Sequence, residues 1–140
     1  MENRNGLAVD ANVTQATGTC EREAALEMIE AIPGDNRIGV GADKAYDTKD
    51  FVNRCRANNA VPHVAQKKNS AIDPRTTRHD GYAVSLRKRK RIEEIFGWLK
   101  TVGCLPKIRH QGKRKVQWIF TLAVAACNVV RMRNPGVSAA

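Results

Sequence analysis

The chain has 140 residues, 42% of them hydrophobic, which suits one ordinary domain with a core and argues against tandem domains or wholesale disorder. Twenty-four Lys and Arg against fourteen Asp and Glu give a net charge of +10 and a pI near 9.9. That balance points to a polyanionic partner, nucleic acid ahead of a membrane. Residues 1–60 carry seven basic and ten acidic side chains, and residues 61–140 carry seventeen and four, so the basic footprint belongs to the second half.

Met1 is followed by Glu2, Asn3 and Arg4, without the apolar stretch of a secretory signal. Residues 7–13 alternate Leu7, Val9, Ala11 and Val13 with Ala8, Asp10 and Asn12, a period-two pattern that predicts a strand. Thr19 is placed to cap a helix with Glu21 and Glu23 in its first turn and Ala25, Met28, Ile29 and Ile32 as its apolar stripe, ended by Pro33-Gly34-Asp35. Residues 38–42 read as a short strand covered on both faces that delivers Asp43 at its C-terminal end. Asp47 or Thr48 then caps a helix to about Asn58 with Phe51, Val52 and Cys55 inward, and residues 61–65 form a further strand whose Pro62 argues for an edge.

Strand, helix, strand, helix, strand predicts an α/β fold with a partly parallel sheet and flanking helices, and active sites of such sheets lie at strand C-termini. Residues 66–82 are polar and basic, with Lys67, Lys68, Arg75 and Arg78, and predict a mobile loop. Two long C-terminal helices follow, over residues 85–102 and 113–133, joined by a turn, with residues 134–140 a flexible tail. The longest apolar run, residues 116–130, is interrupted by Gln117, Thr121 and Asn128 and is shorter than the roughly 20 residues that span a bilayer. It reads as a core helix. Cys20, Cys55, Cys104 and Cys127 form no Cys-x-x-Cys pair and no zinc spacing with His63, His79 or His110, as expected of reduced thiols in a cytoplasmic protein.

On the helix predicted over residues 85–102 the apolar stripe is Leu86, Ile92, Ile95, Phe96, Leu99 and Val102. At about 100° per residue, Arg89, Glu93 and Lys100 fall together on its border, whereas Glu94 points to the opposite side. Gly97, at i+4, leaves the face of Glu93 open. A carboxylate flanked by bases beside a core suits metal-assisted phosphoryl chemistry, the acid holding the cation and the bases the phosphates. The same residues also read as an i, i+4 ion pair on a solvated basic helix, Arg87-Lys88-Arg89-Lys90-Arg91.

The segment Gly41-Ala42-Asp43-Lys44-Ala45-Tyr46-Asp47, followed by Arg91-Ile92-Glu93-Glu94-Ile95-Phe96-Gly97-Trp98-Leu99-Lys100, resembles bacterial insertion-sequence transposases of the DDE type. The resemblance implies the C-terminal part of a ribonuclease-H-like catalytic domain, with two Mg²⁺ (or Mn²⁺) ions in the intact family and DNA as partner. It implies Asp43 as the second catalytic acid and Glu93 as the third, both metal ligands. Arg89 and Lys100 match the spacing of the family's Arg and Lys about that Glu, and the expected Tyr is replaced by Leu86. DNA contacts are expected from Arg89, Lys100 and Lys44, and from Arg87, Lys88, Lys90 and Arg91.

The first catalytic acid is not matched, Asp10 being placed on an outer strand. The expectation is therefore a truncated ribonuclease-H-like fold, inactive in isolation, with residues 7–13 lacking their neighbours and residues 38–42 at a sheet edge. The alternatives are a non-catalytic basic DNA- or RNA-binding module and an inactive gene remnant. A homo-oligomer or a full-length transposase is a possible protein partner, with no membrane association. Asp47 is a helix cap or a spare ligand, Lys44 a phosphate contact or an ion-pair partner, and Tyr46 a core residue. Trp98 covers the final helix or stacks on a partner, Trp118 and Phe120 pack, and Lys113-Arg114-Lys115 touches backbone phosphates.

Overall fold

A computed structural model describes residues 1–103 and 105–133. Two packed units emerge, one of residues 17–89 and one of residues 1–16 with the chain from Lys90 onward.

The first unit is an α/β arrangement. Helix α1 (Cys20–Glu30) begins at Thr19 as expected, although the Thr19 side chain makes no capping bond, and it buries Ala24, Leu26 and Ile29. Ile32 lies outside it and is exposed, so the inward stripe is shifted from the expected one. Strand β1 (Ile38–Ala42) has the predicted bounds, and helix α2 (Lys49–Ala57) buries the predicted Phe51, Val52 and Cys55. Strand β2 (Ala60–Val64) pairs parallel to β1 with Val40 opposite Pro62, so the two strands and α2 make one β-α-β crossover. Asn59, in the left-handed region at φ 53°, turns the chain from α2 into β2 with its amide on the Asp35 carbonyl at 2.7 Å.

Along β1 the half-buried Ile38, Val40 and Ala42 pack against the core and alternate with the more accessible Gly39 and Gly41 on its other face. Those glycines bring other groups close to the strand. A Cβ at Gly41 would lie 3.2 Å from the Ser85 carbonyl oxygen, and one at Gly39 would lie 3.1 Å from the His63 ring. Helix α4 (Asp80–Lys88) therefore lies directly on β1.

Residues 66–82 are not loop throughout. Asp47, 4% exposed, accepts hydrogen bonds from the Lys67 amide at 2.7 Å and the Ala71 amide at 2.8 Å, which pins the segment under the turn after β1. Asp73 caps the short helix α3 (Pro74–Thr77), and α4 starts at Asp80. The core gathers Leu26, Ile29, Phe51, Val52, Cys55, Val64, Ile72 and Tyr82, whose hydroxyl donates to the Val64 carbonyl at 2.7 Å.

The single helix predicted over residues 85–102 is two. α4 ends at Lys88 and α5 spans Arg91–Thr101. Five consecutive cations meet at the break, with Arg87 and Arg91 one turn apart, where like charges repel. The new helix starts from an i−3 bond, the Glu93 amide to the Lys90 carbonyl at 3.0 Å. The break coincides with the boundary between the units.

The second unit packs α5 against α6 (Lys113–Arg133), whose predicted bounds hold, through Ile95, Leu99, Val124 and Cys127. Of the expected stripe on α5 only Ile95 and Leu99 are buried, while Ile92, Phe96 and Val102 are exposed. Trp98 and Phe120 pack against this core, and the rings of Phe96 and Phe120 stack at 6.4 Å. Trp118, expected to pack, is instead 66% exposed.

Residues 7–13 are not a strand. They run extended along α6, and side-chain amides supply the bonds a strand neighbour would have made. Asn128 accepts from the Ala8 amide at 2.9 Å and donates to the Ala8 carbonyl at 2.8 Å. Gln117 accepts from the Val13 amide at 2.6 Å and donates to the Ala11 carbonyl at 2.7 Å. Eleven residues make about three helical turns, which puts both amides on one side of α6. Arg131 adds a bond to the Gly6 carbonyl at 2.8 Å. This meets the requirement that a buried backbone be hydrogen-bonded without a sheet.

Among the described residues the sheet has two strands, which leaves β1 at an edge. No described helix is long and apolar enough to cross a membrane. Cys20, Cys55 and Cys127 are free thiols, whereas Cys104 and the tail expected at residues 134–140 lie outside the described residues.

Candidate functional site

β1 ends at Ala42 and releases Asp43 into a 3₁₀ turn, Lys44–Tyr46. The Asp43 side chain is largely exposed and forms an ion pair with Arg89 Nη1. The local sequence explains the pairing: Gly41 admits α4 onto the strand, with Arg89 Cβ 3.7 Å from a Cβ built at Gly41, so the last residue beyond α4 reaches the strand end. The Arg89 Nε is buried without a hydrogen-bond partner among the described residues. Its guanidinium therefore retains a donor not used by the protein, which is costly unless filled.

Around this pair the turn is held from below. Tyr46 meets Phe51 edge-on at 5.2 Å, as its reading as a core residue anticipated. Thr48, not Asp47, caps α2, accepting from the Phe51 amide at 3.3 Å. Burial alone would raise the Asp47 carboxyl, but the amides of Lys67 and Ala71, the Ser70 hydroxyl and the Lys67 charge outweigh it and hold the group below its ordinary value. Asp47 does not cap α2; its carboxylate holds the segment that follows β2. Lys44 is exposed on the turn.

Glu93 lies in the first turn of α5, exposed, where a negative charge faces the positive end of the helix dipole. Lys100 is in the last turn, seven residues on, hence on nearly the same side about 10 Å along the axis. Gly97 between them faces open space. Glu94 does not simply face water, because it pairs with Arg131 of α6 at 3.2 Å. Arg91 donates to the Asn3 carbonyl at 3.2 Å, and Arg87 and Lys90 are exposed.

The structure thus brings Asp43 and Arg89 together in one unit, with Lys44, Arg87 and Lys88. It sets Glu93 and Lys100 along α5 in the other, with Lys90 and Arg91. The sequence reading had joined Arg89 and Glu93 on one helix, whereas α4 ends at Lys88 and α5 begins at Arg91. It had also missed the buried hydrogen bond of 2.7 Å between His63 Nδ1 and Ser85 Oγ, for which no local pattern exists.

No curated protein and no solved structure gives a significant match to the chain. A family model described as "Transposase DDE domain" matches residues 1–128, and the chain belongs to that family.

Proposed function

We propose that this chain binds DNA through the basic run at residues 87–91. In this reading Arg89 and Lys100 contact phosphates, and Asp43 and Glu93 stand at the second and third acid positions of a ribonuclease-H-like domain. The observation that carries the reading is the family match over residues 1–128. The family's reaction is DNA transposition, and DDE transposases generally use divalent metal ions. The excess of cations over residues 61–140 supports a phosphate backbone as the partner.

As placed, the chain's own residues do not fit a divalent ion. Among the described residues no three His, Cys, Asp or Glu side chains are grouped to hold one. The Asp43 carboxylate is already matched to Arg89, whose charge opposes a cation at the same oxygen atoms. Strand cleavage by the chain alone is therefore not expected. The same ion pair favours the non-catalytic binder as the form in which this chain acts. Arg89 cancels the negative charge at the strand end, which removes a repulsion that an approaching phosphate would meet.

Mn²⁺ titration followed by electron paramagnetic resonance tests the assignment of Asp43. If the ion pair closes the position, the chain binds Mn²⁺ weakly, Arg89→Met binds it more tightly, and adding Asp43→Ala removes the gain. Equal affinity in all three would remove Asp43 from the role given to it.

A further inference from the structure

Helix α4 is fastened to the sheet at Ser85, which is 6% exposed. The Ser85 hydroxyl bonds His63 Nδ1 of β2 at 2.7 Å, and its carbonyl oxygen accepts the Arg89 amide at 2.9 Å. The same carbonyl rests on β1, 3.2 Å from a Cβ built at Gly41. His63 therefore holds the turn of α4 from which Arg89 reaches Asp43. A second histidine holds the start of the helix. His79 caps α4, its Nδ1 accepting from the Gly81 amide at 3.1 Å. The two rings converge on Gly81, where an added Cβ would lie 3.0 Å from His79 Nδ1 and 3.7 Å from His63 Cε1.

Both attachments depend on neutral imidazoles, for different reasons. A nitrogen that accepts an amide hydrogen bond carries no proton, so protonating His79 at Nδ1 removes the cap. His63 is 8% exposed, packed among Gly39, Ser85 and Tyr82, and a charge on its ring is desolvated. The groups facing it do not offset that cost. Beside the ring, at the start of the strands, stand Arg37 before β1, Arg56 of α2 and Arg75 of α3. The acid among them, Asp73, is engaged by Arg56 at 2.6 Å and by the Thr76 amide at 2.9 Å. On α4, Asp80 follows His79 in the first turn, and the Tyr82 ring meets His63 edge-on at 5.8 Å with its hydroxyl committed to the Val64 carbonyl.

Burial, and then the neighbouring His79, hold His63 below the ordinary histidine value. The folded chain thus binds this proton more weakly than the unfolded chain does. Docking of α4 is complete above the unfolded value of about 6.5 and weakens as pH falls through the lower folded value.

We propose that His63 and His79 form an acid-released latch on α4. Neutral, the two rings hold the helix on β1 and Arg89 against Asp43; protonated, they free the helix and uncover the Asp43 carboxylate. The latch stands on the Asp43–Arg89 ion pair and not on the DNA-binding reading of residues 87–91.

The test is amide exchange in the full chain from about pH 7.5 to 5, the range of histidine titration, with each rate divided by the unfolded rate at the same pH. The ring nitrogen signals of His63 and His79 record their own titration. Protection of the Arg89 amide is expected to fall about fivefold or more as the rings titrate, the effect of losing one helix cap. The buried Arg89 Nε–H should exchange faster in step, while Leu99, in the other unit, holds its protection. His79→Asn replaces an exposed cap by one that does not titrate and should remove part of the response. His63→Asn/His79→Asn should flatten it, and His79→Asn decides alone if the buried position does not tolerate the change. The proposal is overturned if Arg89 protection does not fall, if Leu99 loses protection equally, or if His79→Asn responds as the parent does. A fall that does not follow the two ring titrations would overturn it as well.

Discussion

Replacing Asp47 by alanine is expected to loosen the segment that carries the chain from β2 to α3 and α4, and so the approach of Arg89 to Asp43. The carboxylate is 4% exposed and accepts two short amide bonds, from Lys67 at 2.7 Å and Ala71 at 2.8 Å. Bonds to a charged group contribute about 1.5–3 kcal/mol each, so Asp47→Ala should cost on the order of 4 kcal/mol. Asp47→Asn keeps one acceptor and turns an N–H toward the second amide, which should cost roughly half as much. With a urea dependence near ~2 kcal/mol per molar, the alanine variant should melt about 2 M earlier.

The pH dependence has a definite sign. The folded carboxyl lies below its ordinary value, so its contribution is fully present above the unfolded pKa of about 3.9 and is lost as pH falls through the folded value. Parent stability should therefore drop more steeply than that of Asp47→Asn below about pH 4. Urea melts from pH 3 to 7 with both variants provide the measurement, and faster amide exchange at Lys67 and Ala71 locates the effect. An alanine variant within about 0.5 kcal/mol of the parent, the size of an ordinary surface change, or parallel acid profiles for parent and Asp47→Asn, would refute the reasoning.

The extended segment along α6 makes a second prediction. Asn128→Ala removes both bonds to Ala8 and should cost about 2 kcal/mol, with amide exchange at Ala8 accelerating while that of Leu99 follows global stability. Unprotected Ala8 and Val13 amides in the parent would show that the side-chain amides do not hold the segment. Trp118, Leu122, Val129 and Met132, each more than half exposed, lie within about 80° of one another on α6. Sedimentation is expected to show concentration-dependent association that Trp118→Lys/Leu122→Glu reduces, and an unchanged profile in that variant would acquit this face.

The elements legible in the sequence were those whose signal is local. β1 is a short apolar run between turn residues, α2 a capped stripe, and α6 a long run bounded by Gly112, and each was placed with nearly correct limits. Residues 7–13 misled because a period-two pattern reports an extended chain with unlike faces, whatever supplies its hydrogen bonds. Gln117 and Asn128 read as interruptions of an apolar helix, and their spacing of three turns is intelligible only once a second segment is laid against them. The helix wheel at residues 85–102 carries no signal for the turn at Arg89 and Lys90 that divides α4 from α5. Asp43 was placed at a strand end from sequence, but its pairing with Arg89 depends on Gly41 admitting α4, a tertiary event. Asp47 was misread because capping needs only the next residues, whereas its actual partners are about twenty positions away.

The central claim is that a basic surface at residues 87–91 engages the DNA backbone. Its most direct test is the salt dependence of duplex binding by the full chain, with and without the exposed Arg87 and Lys90. If about five phosphates are neutralised, log affinity falls against log salt with a slope near −4.5, and Arg87→Ala/Lys90→Ala lowers its magnitude by about 2. A slope near zero, or the same slope in parent and variant, would contradict the account.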